Sequence, residues 1–200
     1  MARPRTITDD ALLSIARACF LEHGPSVSTT AIAQAVGLSQ AALFKRFGSK
    51  QELMLQALLP PPEPAWLSLL VAGPDARPII EQLMEIGIAA GRFFEKMTPA
   101  MMTLKASGID FAQVFCRYET PPPARALQLL TAWFQAAMDE GRIRQINPLN
   151  VAMSFMGAIH GRNFLQHVAG NWMQFPPLEQ AVETHCDVLC LGLLPEEKTP

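Results

Sequence analysis

The chain has 200 residues, half of them hydrophobic and 17% charged, with a net charge of −2. That length suffices for a small domain plus a medium one, or for a single bundle, and the charge excludes a polyanion-binding surface spread over the whole molecule. The charge is uneven, however. Residues 1–50 hold six cations (Arg3, Arg5, Arg17, Lys45, Arg46, Lys50) against three acids (Asp9, Asp10, Glu22), a balance of +3 that leaves −5 for the remainder. A basic end on an acidic body is the asymmetry expected where one part alone meets nucleic acid. Ten Met and eleven Phe point to a large interface or an internal cavity. No apolar signal segment opens the chain and no stretch has membrane-span character, so a cytoplasmic protein with its four cysteines reduced is expected.

The periodicity is helical throughout. Thr8 or Asp9 caps a first helix that presents Leu12, Ile15, Ala16, Cys19 and Phe20 on one face and stops at Gly24. Ser28 caps a second, short helix with Ile32, Ala35 and Val36 facing inward, and Gly37 turns the chain. Ser39 caps a third helix, "QAALFKRF", and Ser49 a fourth, with Gln51 and Glu52 in its first turn. The prolines of "PPPEP" at 60–64 break the pattern, since proline removes a backbone donor and does not continue a helix. The domain boundary is therefore expected near residue 57, with domains 1–57 and 58–200.

Beyond the boundary, a helix is predicted from about Arg77 to Lys96 and a shorter one from Pro99 to about Ser107. The stretch before the prolines at 121–123 is the least regular. A helix over 123–140 ends at Gly141, Asn147 and Pro148 open one that runs to about Val168, and a last helix covers about 177–193. The fold class is all-α.

Two short helices joined by a glycine turn, at residues 28–47, form the helix-turn-helix pattern. A short capped helix enters the major groove by its N-terminal end, where backbone donors and small polar side chains meet phosphates and base edges. Lys45, Arg46 and Lys50 lie just behind it to neutralise phosphate. The bland alternative is a helical hairpin whose cations are merely solvated. Arg3 and Arg5 are candidates for an N-terminal arm reaching the DNA.

The order helix, glycine, capped pair, aromatic, Ser-Lys resembles the N-terminal domain of the tetracycline-repressor (TetR) family of bacterial regulators over about residues 7–55. The matching positions are Ala16, Phe20, Gly24, Ser28, Ile32, Ala33, Gly37, Ser39, Leu43, Phe44, Phe47, Ser49, Lys50 and Leu53. The resemblance implies an N-terminal DNA-binding domain, a helical effector-binding and dimerisation domain, and a homodimer on a palindromic operator, released by a small effector. It further implies that Ser28, with Thr29 beside it, meets phosphate, that Ser39, Gln40, Ala41 and Ala42 approach base edges, and that Phe44 and Lys50 meet the DNA backbone. The alanine pair at 41–42, Phe44, and Arg46 at a commonly aromatic or histidine position depart from the family pattern. Ala41 and Ala42 replace glycine or polar residues, leaving direct readout to Gln40 and Lys45 and apolar contact with thymine methyls to the alanines. Phe44 replaces a tyrosine and loses its hydroxyl donor, a contact that Arg46 is placed to restore.

The helix from Pro148 to Val168 is apolar nearly all round and must be buried on several sides. With the last helix it is expected to form a four-helix dimer interface through Phe155, Ile159, Arg162, Val182, His185 and Leu189. Met84, Ile88, Met97, Met101, Phe111, Phe115, Phe134 and Met156 are candidate walls of an effector cavity, with Arg92, Trp133, His160 and Asn163 as orienting groups. A small apolar or aromatic effector suits that lining. Cys186 and Cys190, four apart beside His185, form half a metal or redox site at most, because a closed zinc site needs about four ligands. No phosphate loop, acidic pair at metal spacing or nucleophile elbow is present, so an enzyme, a cofactor, a bound metal and a membrane partner are not expected. A dimeric helical interaction or ligand-binding protein that has lost specific DNA binding is the competing reading.

Overall fold

A computed structural model describes residues 7–61, 63–116 and 118–193. Arg3 and Arg5, the expected arm, lie outside them. All secondary structure among the described residues is helical. No helix there is long and apolar enough to cross a membrane. The chain divides into two units: Met1–Pro60 with Pro99–Val114, and Pro61–Thr98 with Phe115–Pro200.

In the first unit, α1 (Asp9–His23) is capped by Thr8, whose Oγ1 accepts from the Ala11 amide at 3.3 Å. It buries Leu12, Ala16 and Phe20, a one-face stripe at helical spacing. α1 packs on α2 (Thr29–Ala35) and on α4 (Lys50–Leu58), and α3 (Gln40–Phe47) packs on α2 and α4. Arg17 ties the first helix to the fourth by donating to the Ala57 and Leu58 carbonyls at 3.2 and 3.4 Å, satisfying acceptors that a helix end leaves open. Ile32 and Val36 are buried as expected, but Ala35 is exposed and Ala33 takes the inward place.

The turn between α2 and α3 is a Schellman closure. The Leu38 amide donates to the Ala33 carbonyl at 2.9 Å and the Gly37 amide to that of Gln34 at 3.1 Å. Gly37 sits at φ +71°, a left-handed conformation that costs a side-chain-bearing residue strain. Ser28, Ser39 and Ser49 each accept from the amide three residues on, at 3.1 Å in every case. Ser39→Ala is expected to destabilise the first unit by about 1 kcal/mol, read as a lower urea midpoint, with Ser39→Asp retaining the wild-type value.

In the second unit, a 3₁₀ turn (Ala65–Leu67) and the one-turn helix α5 (Ser68–Val71) follow the prolines, two elements the sequence pattern did not reveal. α6 (Ile79–Ala106) corrects an expectation: it is one helix of 28 residues with Pro99 inside it, not two helices broken there. Its buried positions Leu83, Ile86, Ala90, Met97, Ala100 and Leu104 keep helical spacing across the proline, so packing on both sides outweighs the one lost hydrogen bond. The division between the units falls within α6, between Thr98 and Pro99. α7 (Phe111–Phe115) is a short helix in the stretch expected to be least regular.

α8 (Pro122–Asp139), α9 (Pro148–Ala169) and α10 (Leu178–Leu193) match the remaining expectations to within a residue or so. α9 packs on both α8 and α10. Trp133, Phe134 and Phe155 form an edge-to-face series in the core, with centroids 5.4 and 6.2 Å apart. Gly87 and Gly91 of α6 let the last helix approach closely, since a Cβ at either would stand 2.7 Å from Val182 Cγ1 or 2.5 Å from Leu178 Cδ1.

Candidate nucleic-acid interface

The outward residues of α2 and α3 lie on one side of a rigid turn. Gln40, the first residue of α3, is held from α2: its Nε2 donates to Thr29 Oγ1 at 2.6 Å, and Thr30 Oγ1 donates to its Oε1 at 3.5 Å. The amide that was expected to read bases is thus oriented before any partner arrives. Ala41 and Lys45 are exposed, and Ala42 and Phe44 are half-buried. Ser28 and Ser39 use their oxygen lone pairs as caps and keep their hydroxyl hydrogens.

The cations divide. Arg46 donates to the Ile7 carbonyl through both terminal nitrogens at 3.1 Å and pairs with Asp9 at 2.5 Å, so it fastens the start of α1 to α3. Lys50 Nζ donates to the Pro25 carbonyl at 2.6 Å and fastens the loop before α2. Lys45 makes no hydrogen bond or ion pair among the described residues. Sequence reasoning missed Thr30 and Asp9 as partners. Neither carries a local signal, because the pairs join residues 10 and 37 positions apart.

The expected effector residues are dispersed. Trp133, Phe134 and Met97 are buried, while Met84, Ile88 and Met156 pack half-buried against the core of the second unit. Arg92 is exposed and pairs with Glu179 at 3.0 Å. His160 is exposed, its ring 4.9 Å from Phe94 in an edge contact that continues to Phe93 and Trp66. Phe115 is half-buried in this unit, whereas Met101 and Phe111 belong to the first. Asn163 is buried, donating to the Ile159 carbonyl at 3.0 Å and leaving its own oxygen unpartnered. A cavity of about 590 Å³ lies along α8 and the start of α9, lined by Leu127, Thr131, Gln135 and Leu149 among others. None of the expected effector residues lines it.

The expected interface residues differ in exposure. Phe155, Ile159 and Val182 point into the chain's own core. Arg162 is largely enclosed, donating to the Pro176 carbonyl at 2.7 Å, and Leu189 and His185 are half-buried. The exposed apolar side chains of these helices are instead Met153, Phe164, Leu165, Val168, Val188 and Leu191. A helix that is apolar all round gives no periodic cue to which side meets the core. Cys186 and Cys190 are buried, the Cys186 thiol pushed up to about 12 by burial and the Cys190 thiol raised by the same cause. No group of three or more His, Cys, Asp or Glu among the described residues is placed to hold a metal ion.

The fold is all-helical, with a capped helix-turn-helix in the first unit and a larger helical second unit. Residues 12–57 match the family model described as bacterial regulatory proteins, tetR family. Those residues resemble the N-terminal segment of that family, and the chain has the fold of solved structures described as its members. A structure from Mesorhizobium loti, described as a TetR-family transcriptional regulator, has 16% identity and a TM-score of 0.70, covering 94% of this chain and 100% of that one. The TetR-family regulator PfmR of Thermus thermophilus has 22% identity and a TM-score of 0.61, covering 89% and 96%. SmeT, the repressor of the Stenotrophomonas maltophilia multidrug efflux pump SmeDEF, has 17% identity and a TM-score of 0.64, covering 98% and 94%. A SmeT–triclosan complex has 18% identity and a TM-score of 0.61, covering 96% and 93%. No curated protein sequence matches the chain.

Proposed function

We propose that the chain is a homodimeric transcriptional regulator, acting as a repressor, that binds a palindromic operator and is released by a small apolar or aromatic effector. The observation that carries this is the surface of α3: an oriented Gln40, an exposed Ala41 and an unengaged Lys45, at the N-terminal end of a serine-capped helix. Such a helix offers a base-edge amide, a contact for a thymine methyl and a phosphate cation in the geometry that the major groove accepts. In this reading Arg46 and Lys50 support the head from within, Thr29 and Ser28 flank the phosphate, and Phe44 packs beside the backbone. The domains are 1–57 for reading and 58–200 for effector and dimer. The chain has no catalytic role.

The effector acts by population shift. It favours a body conformation in which two heads no longer match successive major grooves about 34 Å apart, and operator binding weakens effector binding by the same factor. The triclosan complex of SmeT supports a body of this fold taking up an aromatic molecule. In this chain the edge-to-face series of Phe93, Phe94 and His160 is the surface suited to such a molecule.

The engagement of Arg46 and Lys50 within the chain favours the second reading, a dimeric interaction or ligand-binding protein without specific DNA binding. One experiment separates them: salt-dependent binding of the purified chain to DNA fragments around its own gene. Selective binding is expected, with Lys45→Ala lowering the slope of log affinity against log salt by about 1 on every fragment and Gln40→Ala relaxing selectivity. Absence of selective binding at any salt would decide for the second reading.

A further inference from the structure

The Gln40 amide has a fixed set of hydrogen bonds to offer. A side-chain amide of this kind carries two N–H donors on Nε2 and two lone pairs on Oε1. In this chain α2 takes one of each. Nε2 donates to Thr29 Oγ1 at 2.6 Å, and Thr30 Oγ1 donates to Oε1 at 3.5 Å. One N–H and one lone pair remain, side by side on an exposed residue at the start of α3. Turning the amide over exchanges its two ends between the threonines, because each hydroxyl both donates and accepts, and it leaves the same remainder.

The four bases meet that remainder differently in the major groove. Adenine presents an N6–H donor beside an N7 acceptor and satisfies both groups at once. Guanine presents two acceptors, O6 and N7, and sets one of them against the Oε1 lone pair. Cytosine offers one donor and thymine one acceptor, so either pairs with half of the remainder. A free glutamine chooses less sharply, since its amide nitrogen can turn both hydrogens towards the O6 and N7 of guanine. Here one of those hydrogens is held by Thr29. Ala41, the next residue, is exposed, and its methyl group suits a thymine methyl while offering nothing to a G·C pair.

We propose that Gln40, held by Thr29 and Thr30, reads adenine and rejects guanine, so that the operator carries an A·T pair where Gln40 meets it. The proposal rests on the operator-binding reading above and names the base. Gln40 makes the contact, and Thr29 and Thr30 are positioning residues that act through it. The bonds that set the choice join residues 10 and 11 positions apart, across the turn at Gly37.

The test is selection by the full chain from a pool of random-sequence DNA duplexes, followed by binding measurements on the selected duplex with each base pair exchanged in turn. One position is expected to favour adenine over guanine by about tenfold or more, and Gln40→Ala should remove that difference. Replacing this adenine by 7-deazaadenine deletes the N7 acceptor and leaves base pairing intact. It should weaken wild type by about threefold to tenfold and leave Gln40→Ala unaffected. Thr29→Val combined with Thr30→Val frees the amide and should cut the adenine-to-guanine ratio by about threefold or more, with helix content unchanged. Thr29→Ser keeps the hydroxyl and should hold the wild-type ratio. The proposal is overturned, and the regulator reading left standing, by selective binding in which the Gln40-dependent position prefers another base, no position depends on Gln40, or the double variant keeps the full ratio. Failure to select any sequence at any salt overturns both.

Discussion

Phe20→Ala is expected to cost the first unit about 3–5 kcal/mol, a large share of the stability of a unit this size. The side chain is fully buried on α1, one turn beyond Ala16 and two beyond Leu12. α1 in turn packs against α2 and α4. The helices α2 and α3 have 7 and 8 residues, lengths at which isolated helices are marginal in water, so their order depends on that packing and not on their own propensity. All three tryptophans, at 66, 133 and 172, belong to the second unit, so their emission follows that unit while far-ultraviolet dichroism follows both. Phe20→Ala should therefore lower the urea midpoint of the dichroism signal ahead of that of the emission, and abolish selective DNA retention. Phe20→Leu, which keeps most of the volume, should cost under about 1.5 kcal/mol. An unchanged dichroism midpoint in Phe20→Ala would refute the account of the head's stability.

Gly87→Val is expected to destabilise the second unit severely. A Cβ at this position meets Val182 Cγ1 at 2.7 Å, Ile159 Cδ1 at 3.3 Å and Phe155 Cζ at 3.4 Å. Val182 is β-branched and stiff, and Ile159 and Phe155 are themselves buried, so none of the three yields without displacing α9 or α10. Alanine alone should destabilise by about 1–3 kcal/mol of overpacking, offset by about 1 kcal/mol of helix propensity. Valine adds two methyl groups and loses most of that offset, bringing the expected loss to about 3 kcal/mol or more. Gly157→Ala on α9 is the control: nothing lies within 4 Å of its Cβ, and the change should stabilise the isolated chain by about 1 kcal/mol. Equal effects at the two glycines, measured by thermal melting, would show that the close approach of α10 to α6 is not what position 87 serves.

The helix-turn-helix was legible because its signals are local. Ser28, Ser39, Ser49 and Gly37 act within three or four residues of themselves, and each does in the structure what its type implies. Pro99 misled because its local rule, a break, was outweighed by apolar spacing carried through it on both sides. The candidate interface was legible only as far as its helices: α9 has no polar side, so the residue pattern named the helix and left its rotation open. Arg46 and Lys50 were legible as cations but not as engaged ones, since their acceptors are backbone carbonyls that only the fold brings near.

Under the proposed function, the bridge from Gln40 to Thr29 and Thr30 bears on how operator preference would change. A glutamine already braced at both ends of its amide loses little rotamer freedom on meeting a base, and its two faces are not interchangeable. Another side chain at position 40 returns two threonine hydroxyls to water, and Gln40 placed elsewhere has an amide free to flip. In that reading a change at position 40 therefore alters two residues of the preceding helix as well as the amide offered to the DNA.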